Sequence, residues 1–184
     1  MHFAHDTEAS LDFVVALANT APSASASGAD ELADQDQLAA LLVEHQYSGR
    51  FDRDDTELAE VRAARDDLRR VWTLDTDAAV AEINTMLRAA HASPHLARHD
   101  ALDWHLHATE PDAPLGERIR VEAALALVDV IRSGATDRLG VCEADDCDGL
   151  FIDLSRNGSK RFCTVRCGNR MNVNAYRERR ADAE

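Results

Sequence analysis

Apolar side chains recur at helical spacing over most of this chain, and the strand-like stretches are short. Leu11 to Asn19 is predicted as a short apolar helix, followed by a loop of small residues, Pro22 to Gly28. Asp30 is placed to cap a second helix reaching about Gln46, with Leu32, Leu38, Leu41 and Leu42 inward and Gly49 closing the segment. A third starts at Asp54 or Asp55 and carries Leu58, Val61, Ala64, Leu68 and Val71 towards Trp72 and Leu74. Thr76 or Asp77 opens a fourth, with Val80, Ile83, Met86 and Leu87 on its buried face and Pro94 as its stop. A long helix is predicted from Leu115 to Arg132, bearing Ile119, Ala123, Leu127 and Val130 and ending before Gly134.

The period shortens twice. Leu102, Trp104 and Leu106 alternate with Asp103, His105 and His107, which predicts a strand paired with His95 to Arg98 across His99 and Asp100. Further on, Leu150 to Leu154 reads as a strand, Arg156 to Ser159 as a turn, and Lys160 to Phe162 as a returning strand. The fold class expected is therefore mainly α with a small β-hairpin. An α-rich domain over 1–136 would precede a small α+β module over 137–184.

All four cysteines fall in that last module: Cys142, Cys147, Cys163 and Cys167, spaced C-x4-C, fifteen residues, C-x3-C. Soft thiolates in two close pairs suit an ion that takes four tetrahedral ligands, so one structural Zn²⁺ is the expected cofactor. Cys163 and Cys167, four apart, can both face the ion from the first turn of a helix running towards Arg180. Knuckle, hairpin and helix in that order would make a treble-clef-like finger. Two disulfides, four independent thiols or an iron–sulfur cluster are the alternatives the spacing leaves open.

Charge sharpens this picture. The 184-residue chain has a formal net charge of −14, which would ordinarily argue against a nucleic-acid partner. Between Ser155 and Arg180, however, eight basic residues face one acid, Glu178, for a net +7; the rest holds 12 basic and 33 acidic residues, net −21. The eight are Arg156, Lys160, Arg161, Arg166, Arg170, Arg177, Arg179 and Arg180, the candidate nucleic-acid-binding residues. Helical spacing puts Arg166, Arg170 and Arg177 on one face, able to follow a phosphate backbone or enter a major groove. About five phosphate contacts would give log K a slope near −4.5 against log salt. A solvated basic helix, or a tail docked on its own acidic body, are the bland readings. Asn169 is expected to cap backbone within the finger. The small area of one finger suggests a dimer on double-stranded DNA.

Other features add less. Nearly every basic residue is arginine (19 against Lys160) and alanine is abundant, the bias of a GC-rich bacterial genome. With 45% hydrophobic residues the chain can bury a real core. No apolar run approaches the roughly 18 residues that span a bilayer, and the start lacks a basic signal region, so a cytoplasmic location without membrane attachment is expected. No Gly-rich phosphate loop, HExxH or nucleophile elbow is present, and the protein is read as no enzyme. His91, His95, His99, Asp103, His105 and His107 could form a second metal or acid–base site, against the simpler reading of a polar strand face in water. Asn19, Arg65 and Asn84, beside apolar stripes, are the candidate pocket for a small-molecule effector.

Cys167-Gly168-Asn169-Arg170 resembles the signature that names the CGNR zinc-finger family, and Cys142, Cys147, Leu150 to Asp153 and Arg161-Phe162-Cys163 fit the same pattern. Leu11-Asp12-Phe13 and Asn19-Thr20 resemble the opening of the ABATE domain usually joined to that finger, although Val14 to Ala18 intervene here. The resemblance covers nearly the whole chain. It implies stress-induced transcription regulation, with DNA bound by the finger and the helical domain sensing or dimerising. Binding of RNA or of a protein partner by the same finger is the alternative, though the aromatic pair expected for base stacking is missing.

Overall fold

A computed structural model of the chain describes residues 3–98 and 104–181. Six helices dominate: α1 (His5–Ala18), α2 (Gln35–Glu44), α3 (Asp55–Trp72), α4 (Thr76–Ala89), α5 (Leu115–Arg132) and α6 (Val165–Ala181). Two antiparallel hairpins complete the architecture. In the first, β1 (His95–Ala97) pairs with β2 (His105–His107), His95 opposite His107. In the second, β3 (Leu139–Val141) pairs with β4 (Leu150–Ile152), Leu139 opposite Ile152. Leu102, Asp103 and the turn at His99 and Asp100 lie outside the described residues. No helix among the described residues is long and apolar enough to cross a membrane.

The fold is built around α5, which packs against α1, α3 and α4. Ile119, Ala123, Leu127 and Val130 are its inward stripe, facing Leu58, Val61, Ala64, Leu68 and Val71 of α3 and Leu11, Val14 and Leu17 of α1. Aspartates start three of the helices. Asp34, Asp54 and Asp75 each accept a hydrogen bond from the amide three residues on, which satisfies an otherwise orphaned donor for about 1 kcal/mol each. Glu57 reaches back past the cap and accepts from the amides of Asp52 and Arg53, which fixes the entry of the chain into α3.

Several expectations are corrected. The first helix begins earlier, at His5. The second begins at Gln35, because Asp30 accepts from Leu32 N and pairs with Arg65 and so is spent before it could cap a helix. The fourth ends at Ala89, ahead of Pro94, with His91 in the left-handed region at φ 48°. The first hairpin pairs the two predicted segments, but β2 starts at His105 and leaves Trp104 outside it, and its faces are inverted. His105 is buried, while Trp104 (63% exposed) and Leu106 are open to solvent. Carboxylates explain the inversion: Glu122 faces His107, Nδ1 to Oε1 3.4 Å, and Asp6 accepts from the Leu106 amide.

The second hairpin differs most. Leu150–Ile152 is a strand, but its partner lies upstream at Leu139–Val141, and Lys160 to Phe162 forms no strand. All three β4 residues are buried, and Leu150 and Ile152 belong to the main core beside α1. The buried carboxylate of Asp153 then turns the chain by accepting from the amides of Ser155 and Lys160. Burial works against ionisation of Asp153, yet these hydrogen bonds hold its pKa below the usual carboxylate value.

Candidate metal centre and cationic helix

The four cysteines converge. One ligand sulfur from each lies within 4.8 Å of every other, and none is in a disulfide. Cys147 and Cys163 Sγ are 3.6 Å apart, and Cys163 and Cys167 Sγ 3.8 Å. A disulfide would require about 2.05 Å. Four sulfurs at about 2.3 Å from one tetrahedral ion stand about 3.8 Å from each other, so the spacing fits a single zinc-sized ion. An iron–sulfur cluster spreads its thiolates over several irons and would hold them further apart.

Local structure brings the ligands together. Cys142 follows β3 and Cys147 precedes β4, so the first pair sits in the loop of the second hairpin. Cys142 N donates to Gly149 O at 2.7 Å, and Cys147 N to Ala144 O at 3.1 Å, which curls the loop into a knuckle. Gly149 is required there: a Cβ would lie 2.6 Å from Cys163 Sγ and 3.1 Å from Cys147 Sγ. The second pair straddles the start of α6. Cys163 precedes the helix instead of lying in its first turn, and the Thr164 hydroxyl accepts from Cys167 N as a helix cap. Burial pushes the Cys147 and Cys163 thiols up. Four thiolates this close repel one another, and a cation among them would offset that repulsion. Cys142, Ala144 and Cys167 form the buried apolar cluster of the module, with Phe162 and Met171 packed at its edge.

The eight predicted cationic residues divide into two sets. Four are engaged by the protein itself. Lys160 Nζ reaches Ile152 O and stacks over Phe151, Arg161 pairs with Glu143, Arg166 donates to Ala26 O, and Arg170 pairs with Asp146 at 2.6 Å. Arg156, Arg177, Arg179 and Arg180 make no ion pair among the described residues. Three of these four lie on the distal half of α6. Asn169 is exposed and makes no hydrogen bond among the described residues; Thr164 supplies the cap expected of it.

The three candidate effector residues sit in different settings. Arg65, 5% exposed, holds Asp30 through two hydrogen bonds of 2.7 and 2.9 Å and also reaches Thr20 Oγ1. That guanidinium keeps the Asp30 carboxyl below its ordinary pKa, with burial acting the other way. Asn84 is exposed on α4. Asn19 instead joins the body to the finger: Nδ2 donates to Leu150 O at 2.9 Å, and Leu150 N donates to Oδ1 at 2.7 Å. Polar spacing beside an apolar stripe carries no information about such long-range pairing.

The junction uses residues that the sequence did not single out. Arg69 donates to Ala18 O and Asp148 O, Trp72 Nε1 to Gly140 O, and Asp148 N to Ser23 O. Replacing Asn19 by alanine would leave the amide and carbonyl of buried Leu150 unpaired. About 2–3 kcal/mol of stability should be lost, read by urea unfolding, with faster amide exchange at Leu150 and its neighbours. Stability and exchange equal to the parent protein would show that the clamp contributes nothing.

Comparisons with known proteins follow this division. Residues 138–180 match the family model of the CGNR zinc finger. Residues 11–134 match that of ABATE, described as a putative stress-induced transcription regulator. No curated protein matches the chain. With one model spanning most of the sequence and the other its cysteine module, the chain belongs to the ABATE family and carries a CGNR zinc finger behind the helical body.

Proposed function

We propose that the protein is a non-catalytic transcription regulator whose finger, ordered by one structural Zn²⁺, grips double-stranded DNA through α6. The observation that carries this reading is the end of α6. Its distal turns hold Arg177, Arg179 and Arg180 with no ion pair among the described residues, on a helix that no other described element packs against closely. Zinc would be held by Cys142, Cys147, Cys163 and Cys167, and four thiolates leave no open position for a reacting water. The ion supplies cross-linking and charge neutralisation; the side chains supply the contact. Arg156 lies in the turn before the second cysteine pair and can reach a neighbouring phosphate. Residues 137–184 would contact DNA, while 1–136 would sense a ligand or form a dimer in the cytoplasm.

Exposure of Val173 and Tyr176 beside the arginines gives α6 an apolar strip as well. That strip is the feature a protein partner or stacked RNA bases would use. Binding of the zinc-loaded protein to a labelled random duplex, the matching single strand and a hairpin RNA distinguishes the readings. Duplex DNA is expected to bind tightest. Equal or stronger binding of RNA, or no binding of any of the three, would defeat the DNA reading.

A further inference from the structure

A cavity of about 1170 Å³ opens in the helical body, between the first turns of α1, the end of α2, the β1–β2 hairpin and α5. None of its lining residues belongs to the cysteine module, and Asn19, Arg65 and Asn84 are not among them. Much of the wall is apolar, with Phe13, Leu42, Leu96, Leu106, Pro111 and Leu125 along it. A volume of this size takes a drug-sized organic molecule.

The polar groups show which kind. Four acids line the cavity, Asp6, Glu110, Glu122 and Asp129, against one permanent cation, Arg118. Arg118 is 4% exposed, and its guanidinium donates to the carbonyls of Ser48, Arg50 and Ala113. It staples the loop after α2 to the segment before α5, and so is a poor anchor for an anionic ligand. The acids are less well compensated. The Asp129 carboxylate accepts from the Thr7 hydroxyl at 2.7 Å, that of Asp6 accepts from the Thr7 and Leu106 amides, and Glu122 faces His107. None of the three meets an arginine or lysine among the described residues. A hydrogen bond to Glu122 holds His107 above the ordinary imidazole pKa, with burial and Arg118 acting the other way and Asp6 adding to the rise.

One further polar group belongs to this wall. Among the described residues the buried Tyr47 hydroxyl has no hydrogen-bond partner of ordinary geometry, and Glu122 is its charged neighbour. Its ring packs at a tilt on Phe13 at 4.7 Å, with His45 edge-on to the same Phe13 at 5.5 Å and the Arg118 guanidinium over the Tyr47 ring at 5.5 Å. Carboxylates that meet no arginine or lysine among the described residues, beside a phenol oxygen, suit an ammonium group, and the apolar wall suits the body that carries it. A bound metal fits less well. Among the described residues the cysteines are the one group of three or more side chains placed to share an ion, and the cavity imidazoles are not so placed.

We propose that this cavity binds an amphipathic organic cation, a protonated amine carried on an aromatic or alkyl body, with Glu122 and Tyr47 receiving the ammonium and Asp6 and Asp129 adding negative charge to the wall. The proposal supplies the ligand class for the sensing role given above to the body. Binding itself is measured without DNA, so the two readings fail separately.

The test is calorimetric titration of the zinc-loaded full chain near pH 7 with 4-phenylbutylamine, 4-phenylbutyrate and 4-phenylbutan-1-ol, three ligands of one shape and different charge. The amine is expected to bind at least about tenfold tighter than the acid. Glu122→Gln should weaken the amine about tenfold while leaving the alcohol unchanged, with thermal unfolding confirming an intact fold. Ala9→Trp, at an exposed position on the cavity wall, should block the amine without touching any polar group. Equal or tighter binding of the acid, absence of amine binding, or full amine affinity in Ala9→Trp would overturn the proposal.

Discussion

Replacing Cys163 by serine is expected to abolish stoichiometric zinc and to melt α6, while the helical body stays folded. A structural zinc of this type contributes about 10–16 kcal/mol to folding at neutral pH, and a hydroxyl does not replace a thiolate ligand. The module has nothing comparable in reserve, since its own apolar cluster has three buried residues, two of them ligands. The β3–β4 hairpin should outlast the metal, because Leu150 and Ile152 sit in the main core and Asn19 clamps Leu150. Elemental analysis should therefore read zinc near zero. Circular dichroism should lose helix in proportion to the 17 residues of α6. Full zinc retention, or collapse of the whole protein, would contradict this division of stability.

Neutralising Arg177, Arg179 and Arg180 together is the change with the next largest expected effect, here on binding and not on folding. These side chains hold no internal ion pair among the described residues, so thermal stability should stay within about 0.5 kcal/mol of the parent. Each phosphate contact releases about 0.9 of a counterion, so four contacts with Arg156 included give a slope near −3.6, and removing three takes it to about −0.9. At physiological salt the same loss is worth about a hundredfold in affinity. An unchanged slope would place the contact surface elsewhere. Arg166 and Arg170, engaged by Ala26 O and Asp146, should contribute less than their position on the arginine face of the helix suggests.

Local information was legible in the chain, and long-range information was not. The cysteine spacing pointed to a metal site, because two close pairs can supply four tetrahedral ligands, and the fold brings the four sulfurs together. The α3 and α5 stripes were equally plain, since 3.6-residue periodicity repeats over several turns. Asp30 illustrates the limit: by pattern a helix cap, it is drawn away by Arg65, 35 positions on. The partner of β4 was misread for the same reason. A turn with Gly158 lies directly downstream, but burial against α1 and the Asn19 clamp select Leu139–Val141 instead. The cavity was invisible because its acids come from α1, α5 and the loop after β2, and it forms only when these elements pack.

The histidines of the first hairpin show how a local rule can be correct and still mislead. Alternation correctly predicted strand, and the hydrophobic scale then placed Leu106 inside and His105 outside. Charge decided otherwise, because the neighbouring surface carries Asp6 and Glu122, which accept from backbone and imidazole but have little to offer a leucine. A strand of three residues contributes too little apolar area to override that preference.

The claim on which the functional account rests is that a metal-ordered finger presents α6 to duplex DNA. It is tested most directly by duplex affinity in one preparation measured three times: zinc-loaded, after chelation, and after zinc is restored. Binding should disappear with the metal and return with it, in step with the helical signal of α6. A metal-free protein that holds duplex DNA as tightly as the loaded one would contradict the account.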